Sequence, residues 1–375
     1  MTDPRRLAFV LPNLGAGGAE RVALTLMRAF VARGFPVDLV LVEATGELLA
    51  QLPPEVTVVD LGARRYARAL LPLVRYLRRC RPHAIQVRMW PLTVIAILAR
   101  LLARTPTRVV VSDHVPLGVM YADQPRAVRA IAATTRLLYP RADARVFVSA
   151  GAADDLARLA GLPRDGFEII HNPIPAPPAA TVIPPEVERS WGDANGRVVG
   201  VGTLKPVKNF ALLIDAFAVL RRQRPTARLA IVGAGPLLEP LRSQAAALGL
   251  GDLVVFPGFT ADPTPWYASA DLFALASDYE GFGNVLVEAM RQGTPVVSTD
   301  CESGPREILG DGRYGLLVPC SDAGALAAAM LATLDRPLDP ATLRRRAEEL
   351  SGGDAINRYL ALMLGSPTSD RSTAR

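Results

Sequence analysis

The sequence predicts an α/β protein made of two doubly wound, Rossmann-like domains whose parallel sheets face each other across a cleft. Short apolar runs alternate with longer stretches of helical periodicity, which is the pattern of a parallel sheet with helices on both faces. The alternation stops near residue 172 in a proline-rich stretch and then starts again. A length of 375 residues is enough for two domains of ordinary size. Ligands of such sheets bind beyond the carboxyl ends of the strands, so we expect functional residues on the loops that follow strands.

The N-terminal domain is predicted over residues 1–172. It begins with an apolar strand at 7–12, a glycine-rich turn at 13–20 and a helix at 21–33 that Gly34 ends. Further short apolar runs predict strands at 37–42, 56–61, 84–87, 108–112 and 145–149.

A proline-rich linker is predicted over residues 173–196, because consecutive prolines favour extended chain. The C-terminal domain follows over 197–364, and the polar residues 365–375 are expected to form a disordered tail. Within this domain strands are predicted at 197–201, 228–232, 253–256, 272–276, 295–298 and 316–318, and helices at 210–222, 237–248 and 284–292.

Cysteine and histidine usage argues against a metal centre or a disulfide framework. The three cysteines and the three histidines are far apart in sequence and show no ligand spacing. We therefore expect a protein of the reducing cytoplasm that binds no metal.

Positive charge is concentrated in the first half of the chain. Residues 1–172 contain 23 arginines and 14 acidic residues, a net charge of +9, whereas residues 173–375 carry −3. Such a balance suits nucleic acid, anionic lipid or a phosphorylated substrate. No zinc finger, helix-turn-helix or aromatic RNA-binding motif accompanies the charge, so we predict no nucleic-acid partner and favour lipid or phosphate.

An arginine-rich segment bounded by Arg64 and Arg81 is the candidate for lipid binding. Apolar residues recur in it at helical spacing, and arginines occupy much of the remainder. The segment could lie on an anionic membrane surface, which would attach a cytoplasmic protein peripherally to the inner face of the cell membrane. A core-packing helix with a solvated arginine face explains the pattern equally well, and the two interpretations are compatible.

Lysine occurs only twice among the 42 basic residues, at Lys205 and Lys208 in one predicted loop. In a chain that otherwise uses arginine, two neighbouring lysines indicate that a compact ammonium group is needed there. Chance retention in a surface loop is the alternative.

Two glutamates, Glu280 and Glu288, are the most informative residues of the chain, and seven residues separate them. Gly281 and Gly283 follow the first glutamate and lead into the predicted helix at 284–292. Backbone N–H groups and the helix dipole at such a turn can bind phosphate, and carboxylates accept hydrogen bonds from sugar and ribose hydroxyls. The pattern therefore favours a nucleotide sugar over a solvated pair of glutamates beside a helix cap.

Six motifs in this order resemble the retaining glycosyltransferases of family 4, which have the GT-B fold. They are the glycine turn at 15–20, the stretches at 201–209, 231–236 and 256–259, the two spaced glutamates, and the stretch at 293–297. The resemblance covers about residues 7–330, and the loop at 303–308 looks like that of members that build lipopolysaccharide, capsule or lipid-linked oligosaccharides.

The resemblance implies roles for individual residues. Glu280 would contact the donor sugar, Glu288 the ribose hydroxyls, and Lys208 the donor phosphate. Thr203 stands where the family usually has an arginine, and Lys205 is expected to supply the missing charge. His114, which ends a strand, would bind a sugar hydroxyl or orient the acceptor. The remaining donor-binding residues implied are Gly15, Gly17, Gly18, Gly233, Phe259, Gly281, Phe282, Gly283, Asn284, Val285 and Leu286.

The resemblance thus implies a metal-independent, retaining hexosyltransferase with Glu280, His114 and Lys208 in the catalytic roles. The N-terminal domain would bind a glycan or lipid-linked acceptor, and the C-terminal domain would bind a nucleotide-sugar donor, with UDP as the expected nucleotide. No cofactor is expected, because the nucleotide sugar is a substrate. The alternatives are a nucleotide-sugar epimerase of the same fold and a non-catalytic subunit that binds sugar nucleotides; a phosphorylase would need a pyridoxal-phosphate lysine.

Overall fold

The structure is a computed structural model that describes residues 5–15, 17–174 and 182–365. Its contacts divide the chain into two compact units. The first unit comprises the described residues up to Pro173 together with those from Gly352 onward. The second unit is Ile174–Ser351.

The first unit contains a parallel sheet of seven strands in the order β3-β2-β1-β4-β5-β6-β7. The strand order reverses between β1 and β4, so the ligand crevice of a doubly wound sheet is expected at the carboxyl ends of these strands. The strands are β1 (Leu7–Leu11), β2 (Val37–Leu41), β3 (Thr57–Asp60), β4 (Ala84–Arg88), β5 (Arg108–Asp113), β6 (Ala144–Phe147) and β7 (Glu168–Ile169). The helices between them are α1 (Gly18–Ala32), α2 (Leu70–Cys80), α3 (Leu92–Ala103), α4 (Leu117–Met120), α5 (Pro125–Leu138) and α6 (Ala150–Ala160).

The second unit contains a parallel sheet of six strands in the order β10-β9-β8-β11-β12-β13, which reverses between β8 and β11. The strands are β8 (Arg197–Val201), β9 (Arg228–Val232), β10 (Val254–Gly258), β11 (Leu272–Leu275), β12 (Val296–Thr299) and β13 (Leu316–Val318). The helices are α7 (Pro185–Trp191), α8 (Phe210–Leu220), α9 (Leu238–Ala247), α10 (Thr264–Ser269), α11 (Asn284–Gln292), α12 (Pro305–Leu309), α13 (Ala323–Asp335) and α14 (Pro340–Leu350). The last helix of the chain, α15 (Ala355–Leu364), belongs to the first unit.

Burial explains why β1 is a continuous apolar run and why β2 is apolar except for Asp38. Every residue of β1 and β2 is buried, because helices cover both faces of a parallel sheet. On one face of the first sheet α2, α3, α5 and α6 contribute to the core. On the other face α1 and α15 do so. The predicted two-domain α/β fold with parallel sheets is therefore confirmed.

The predicted boundary of the C-terminal domain at residue 364 needs a correction. Helix α15 lies after the second unit in sequence, yet it packs on β4 and β5 of the first. Its Tyr359, Leu362 and Met363 are buried in the same core as Leu7 and Phe9 of β1. The apolar face of this helix has its partner surface on the first unit, and sequence adjacency does not reveal that.

Part of the predicted linker, residues 173–196, also differs from expectation. Helix α7 occupies Pro185–Trp191, and Val187 and Trp191 are buried in the second unit. Proline is compatible with the first turn of a helix, because the N–H that it lacks has no partner there. The Trp191 Nε1–H donates to Ser269 Oγ at 2.9 Å, which ties this helix to α10. Residues 175–181 of the linker and 366–375 of the predicted tail lie outside the described residues.

Helix α2 carries the arginine-rich segment, preceded by a 3-10 turn at Tyr66–Ala69. Its Leu73, Val74 and Leu77 are buried, whereas its arginines face solvent. In the described part of the chain no helix has the length and apolar character needed to cross a membrane.

Candidate active site

An ion pair joins the two loops at the point where the strand order of the second sheet reverses. Lys208 lies on a 3-10 turn after β8, and Glu280 lies in the loop after β11. The Lys208 Nζ atom is 2.5 Å from Glu280 Oε1, although 72 positions separate the two residues. The fold thus brings one lysine and one glutamate of the predicted site together where a doubly wound sheet binds its ligand.

The carboxylate of Glu280 is held from two sides and is 8% exposed. Besides Lys208, the buried Ser277 donates from Oγ to the same oxygen, Oε1, at 2.7 Å. Thr299 Oγ1 donates to the carbonyl of Ser277 at 2.7 Å and so anchors that serine to β12. Both bonds reach Oε1, so within the described residues Oε2 has no hydrogen bond of its own.

The loop that carries Lys208 is braced against the loop that carries Glu280. Asn209 has a left-handed backbone with φ 43°, and its side-chain amide donates to Asp278 at 2.9 Å. In return the backbone N–H of Asp278 donates to the carbonyl of Val207 at 2.9 Å. These bonds fix the spacing between the ammonium group and the carboxylate.

The predicted phosphate-binding turn leads directly into α11. Gly283 is the N-cap residue of this helix and has φ 99°, a conformation that L side chains rarely adopt. The helix of nine residues begins at Asn284, as predicted. Gly281, Phe282, Gly283 and Leu286 are buried, and Asn284 and Val285 are half-buried. Since glycine has no side chain to cap the first turn, the turn can present backbone N–H groups to an anion.

The loop after β12 supports this turn from behind. Ser303 Oγ donates to the carbonyl of Gly281 at 3.0 Å. A Cβ atom on Gly304 would lie 2.0 Å from the carbonyl oxygen of Phe282, so only glycine fits between the two loops. In the same loop Arg306 pairs with Asp300 and Asp311.

Glu288, the second glutamate, lies on α11. The hydroxyl of Tyr267 donates to its Oε2 at 2.9 Å. Tyr267 is 1% exposed, and its own carbonyl accepts a hydrogen bond from Thr294 Oγ1 at 2.7 Å. The half-buried second glutamate is therefore oriented by Tyr267 of α10, which Thr294 in the turn before β12 helps to hold.

The loops after β8, β9 and β10 form a tight backbone layer next to the ion pair. Gly233 has φ 150°, and a Cβ atom there would lie 1.9 Å from the carbonyl oxygen of Gly202. Gly233 N–H donates to the carbonyl of Gly258 at 2.9 Å. Phe259 follows Gly258, and its side chain is 50% exposed. Small residues and an exposed aromatic ring at a strand edge suit a stacked base.

The loop around Thr203, where the family usually has an arginine, is partly exposed to solvent. Thr203 is half-buried, and Lys205 is exposed. Thr203 accepts a backbone hydrogen bond from Lys205 at 2.7 Å, which closes a tight turn. Of the two lysines, only Lys208 is joined to Glu280 in this structure.

Cys301 is the buried thiol nearest in sequence to this site. Burial, with a further contribution from Glu280, raises the pKa of its thiol well above the usual range. A protonated thiol is a weak nucleophile, so Cys301 is suited to packing and not to covalent catalysis.

In the first unit the predicted glycine turn follows β1 and leads into α1. The helix begins at Gly18, three residues earlier than predicted, and Gly17 is its N-cap residue. A Cβ atom on Gly17 would lie 2.3 Å from a carboxylate oxygen of Glu20, which folds back over the turn. Gly15 donates from its backbone to the side chain of Asn13 at 3.3 Å. The turn thus lies at the switch point between β1 and β4, as expected for a ligand-binding loop.

His114 lies directly after β5 and is 8% exposed. Its Nε2 atom is 3.0 Å from Ser112 Oγ, which is also 3.2 Å from the hydroxyl of Tyr359 on α15. Arg88, the last residue of β4, is fully buried, and its Nη1 donates to the carbonyl of Ala19 at 2.7 Å. Burial and, second, the charge of Arg88 lower the pKa of His114 well below its usual value. Burial also lowers the pKa of Arg88 to about 10, which still leaves its guanidinium charged at pH 7. The imidazole of His114 beside it is therefore neutral at that pH.

Family models match both halves of the chain. Residues 16–176 match the model described as Glycosyltransferase Family 4, and residues 191–350 match the model described as Glycosyl transferases group 1. The chain belongs to the glycosyltransferases.

The relatives of this glycosyltransferase include enzymes named for lipopolysaccharide core biosynthesis and for glycan transfer on diphospho-undecaprenol. It is similar to the N-acetylgalactosamine-N,N'-diacetylbacillosaminyl-diphospho-undecaprenol 4-alpha-N-acetylgalactosaminyltransferase of Campylobacter jejuni, with 29% identity over 333 residues. That match covers 86% of this chain and 88% of the relative. It is also similar to the lipopolysaccharide core biosynthesis glycosyltransferase LpsE of Rhizobium meliloti, with 36% identity over 175 residues, 45% of this chain and 50% of LpsE.

Among solved structures, HepE of Anabaena in complex with UDP-glucose has a TM-score of 0.79 to this glycosyltransferase. The sequence identity is 23%, and the alignment covers 96% of this chain and 99% of HepE. At this identity the likeness establishes the fold, which is the two-domain GT-B architecture that the motifs predicted.

Sequence reasoning missed several residues that shape the site of this glycosyltransferase. Ser277 lies three residues before Glu280, inside the recognised motif, and its proximity was a usable signal. Ser112 lies two residues before His114 and carried the same signal. Tyr267, Arg88 and Tyr359 carried none, because their side chains come from other elements than the residues they support. Among the described residues, no cluster of three His, Cys, Asp or Glu side chains could hold a metal ion.

Proposed function

We propose that this glycosyltransferase moves a hexose from a UDP-sugar to a lipid-linked or glycan acceptor, with retention of anomeric configuration and without a divalent metal. The observation that carries the proposal is the Lys208–Glu280 pair at the switch point of the second sheet, beside the glycine turn that begins α11.

The donor diphosphate has a binding site in the turn before α11. The positive end of the helix dipole and the backbone N–H groups near Gly283 favour an anion at this point. Lys208 adds a full positive charge whose ammonium has three donors, one of which reaches Glu280. Negative charge develops on the diphosphate as the glycosidic bond breaks, and these fixed groups stabilise it.

The donor sugar has an acceptor for its hydroxyl groups in Glu280. Its Oε1 atom is occupied by Lys208 and Ser277, which leaves Oε2 to accept from a sugar hydroxyl. Glu288, oriented by Tyr267, is suited to the two ribose hydroxyls of the nucleotide. The assignment of these roles follows the family resemblance together with the hydrogen bonds described above.

Retention is the outcome that the side chains near Glu280 favour by a front-face route. In that route the acceptor oxygen attacks from the face that the diphosphate leaves, and a donor phosphate oxygen takes the acceptor's proton. The carboxylate of Glu280 is held by two hydrogen bonds, and the thiol of Cys301 is buried and protonated, so neither is prepared for nucleophilic attack.

The nucleotide base of the donor and the class of the acceptor substrate are proposed from similar proteins. The fold neighbour HepE is described in complex with UDP-glucose, and the Campylobacter jejuni relative by its name acts on a diphospho-undecaprenol glycan. A lipid-linked acceptor is also consistent with the arginine-rich first half of this chain.

An anionic membrane is the proposed surface on which the first unit meets such an acceptor. Residues 61–142 contain 15 arginines and two aspartates, and one of these, Asp113, is fully buried. On α2, α3 and α5 the large apolar residues Leu71, Leu102 and Leu137 are 61%, 45% and 60% exposed. Arginines interspersed with exposed leucines suit a headgroup layer, in which cations attract anionic lipid and leucines enter the acyl boundary.

The donor proposal is tested by ligand stabilisation followed by turnover. We expect UDP to raise the melting temperature more than GDP or ADP, because a ligand stabilises in proportion to the logarithm of its concentration over its Kd. With the matching UDP-sugar and acceptor, we expect UDP release in the presence of EDTA, and a product whose anomeric coupling constant equals that of the donor. Stabilisation by UDP without transfer would support the non-catalytic subunit, and a change of sugar configuration on the nucleotide would support the epimerase.

The membrane proposal is tested by co-sedimentation with vesicles of phosphatidylglycerol or of phosphatidylcholine. We expect binding to the anionic vesicles alone, and we expect the double variant Arg75→Glu with Arg79→Glu to lose most of it, because each basic residue near the surface contributes about 1 kcal/mol. A matched control, Arg189→Glu with Arg222→Glu, changes the net charge equally on exposed positions of the second unit. Equal loss in both double variants would contradict a defined membrane surface.

A further inference from the structure

A chain of hydrogen bonds connects the last helix of the protein to the end of β5. Tyr359 on α15 is fully buried, and its hydroxyl lies 3.2 Å from Ser112 Oγ. Ser112, also fully buried, lies 3.0 Å from Nε2 of His114. Tyr359 and Ser112 are 247 positions apart, so the contact exists only because α15 packs on the first unit.

The direction of these bonds follows from counting protons. Within the described residues the only hydrogen-bond partner of the Tyr359 hydroxyl is Ser112 Oγ, and a buried hydroxyl proton needs an acceptor. Tyr359 therefore donates to Ser112, and Ser112 uses its own proton to donate to Nε2 of His114. An imidazole nitrogen that accepts carries no proton, so the proton of the neutral ring lies on Nδ1.

The charges around the ring favour its neutral form. Arg88 on β4 lies opposite Ser112 in the strand register, and the charge of its guanidinium acts on His114. Tyr359 on α15 contributes a neutral hydroxyl, and Glu20 on α1 acts on Arg88. Nδ1 makes no hydrogen bond within the described residues, so its N–H is available to a ligand.

We propose that Tyr359 and Ser112 are positioning residues that hold His114 in the Nδ1–H tautomer, so that it donates a hydrogen bond to a substrate oxygen. The inference rests on the proposed function, because it takes His114 as a residue that contacts the substrate. A ring held in this way serves as a donor to a hydroxyl, ring or phosphate oxygen, and it cannot take a proton at Nδ1. This agrees with the proposed front-face route, in which a donor phosphate oxygen takes the acceptor's proton.

The tautomer is measured directly by long-range proton–nitrogen NMR on protein labelled with ¹⁵N-histidine. The chain has three histidines, so the variants His83→Gln and His171→Gln assign the signal of His114. We expect the proton on Nδ1 in the unaltered chain, and a mixture of both tautomers in Ser112→Ala. A proton on Nε2 in the unaltered chain would overturn the proposal. This measurement needs no substrate, so its failure is distinct from failure of the proposed function.

The consequence for turnover is measured with Tyr359→Phe, Ser112→Ala and the double variant. Losing one neutral hydrogen bond corresponds to roughly a 3- to 10-fold fall in kcat, with the KM for the donor unchanged. Because Tyr359 acts through Ser112, we expect the double variant to equal Ser112→Ala. Additive losses would overturn the relay.

Tyr76→Phe is the matched control for these variants. It also removes a buried tyrosine hydroxyl from the first unit, one that donates to Asp38 at 2.8 Å. We expect this control to keep the kcat of the unaltered protein and to leave the tautomer of His114 unchanged. A loss of kcat as large as in Tyr359→Phe would assign the effect to general destabilisation and would overturn the positioning role.

Discussion

At the scale of single residues, Lys208 is predicted to carry the largest share of leaving-group stabilisation. In Lys208→Ala the diphosphate loses a cation, and the nearly buried carboxylate of Glu280 loses its ion pair. We expect kcat/KM to fall by about 100- to 1,000-fold, the usual effect of removing one group that stabilises developing charge. UDP release at saturating acceptor measures it.

The matched control for this variant is Arg222→Ala, which removes an exposed cation from the same unit. We expect it to retain full turnover. If Lys208→Ala turned over as fast as this control, the ion pair would be structural and the donor site would have to lie elsewhere. Lys205→Ala is expected to lose less than Lys208→Ala, because the Lys205 side chain is exposed to water, where charge is screened.

Asp113 is predicted to make stability depend on pH. Burial raises the pKa of this carboxyl to about 6, although a hydrogen bond from Tyr139 at 2.6 Å opposes the shift. The folded protein therefore binds the proton more tightly than the unfolded chain, and the ionised form costs about 3 kcal/mol of stability above pH 6. As pH falls from about 6 toward the unfolded value of 3.8, this cost disappears.

Asp113→Asn tests this assignment, because the amide keeps its shape and accepts from Tyr139 without ionising. We expect the variant to melt at a higher temperature than the unaltered protein at pH 8, with the difference shrinking between pH 6 and pH 4. Comparison at each pH isolates Asp113, since the other groups titrate in both proteins. A difference independent of pH would mean that the carboxyl is already protonated at pH 8.

At the scale of elements, the turn before α11 depends on a glycine in the neighbouring loop. Gly304→Ala would place a methyl group 2.0 Å from the carbonyl of Phe282 in a backbone of φ 88°, so the proposed phosphate-binding turn must shift. We expect a loss of roughly 3 kcal/mol or more in unfolding free energy and a smaller stabilisation by UDP. Urea denaturation with and without UDP measures both.

Gly34→Ala is the control for backbone strain alone. Gly34 also has a positive φ, 81°, but nothing lies within 4 Å of a Cβ atom there. We expect a cost of about 1 kcal/mol and unchanged stabilisation by UDP. Equal costs at the two glycines would show that the loop at Gly304 gives way without strain.

At the scale of the whole molecule, α15 is predicted to be required by the first unit. Truncation after Ser351 removes three large buried side chains, Tyr359, Leu362 and Met363, from its core. Each contributes about 1.5–3 kcal/mol, so the loss is on the order of 5 kcal/mol or more, a large part of ordinary domain stability. Differential scanning calorimetry should show a lower transition for the truncated protein.

Truncation after Gly365 is the companion experiment, since it removes none of these described contacts. We expect its calorimetric trace to match that of the full chain. A truncation after Ser351 that melted like the full chain would contradict the assignment of α15 to the first unit.

Much of the fold could be predicted because the signals are local. The strands at Arg197–Val201, Arg228–Val232 and Leu316–Val318 have the predicted bounds, since short apolar runs between turn residues define them. Strand β7, Glu168–Ile169, was missed, because two residues have no periodicity to detect. Helix α7 lies within the predicted linker, because proline in a first turn indicates a helix breaker unless the cap is known.

The candidate site divides in the same way. Glu280, Glu288 and the glycines before α11 were found from one continuous stretch of sequence, and Lys208 from its rarity. That Lys208 and Ser277 meet on one oxygen of Glu280 required the structure, because strand order brings their loops together. The partners of His114 required it as well, because Arg88 and Tyr359 come from other elements.

By itself, then, the sequence determined the two α/β domains and the family, and it predicted the donor-binding motif, since apolar periodicity and glycine turns act within a few residues. Only the tertiary structure decided that the last helix completes the first unit and that Tyr359 reaches Ser112. The physical reason is that the apolar face of a helix can be buried against any complementary apolar surface that lies close in space, wherever that surface stands in the sequence. Sequence distance costs little, because the entropy of closing a loop grows only with the logarithm of its length.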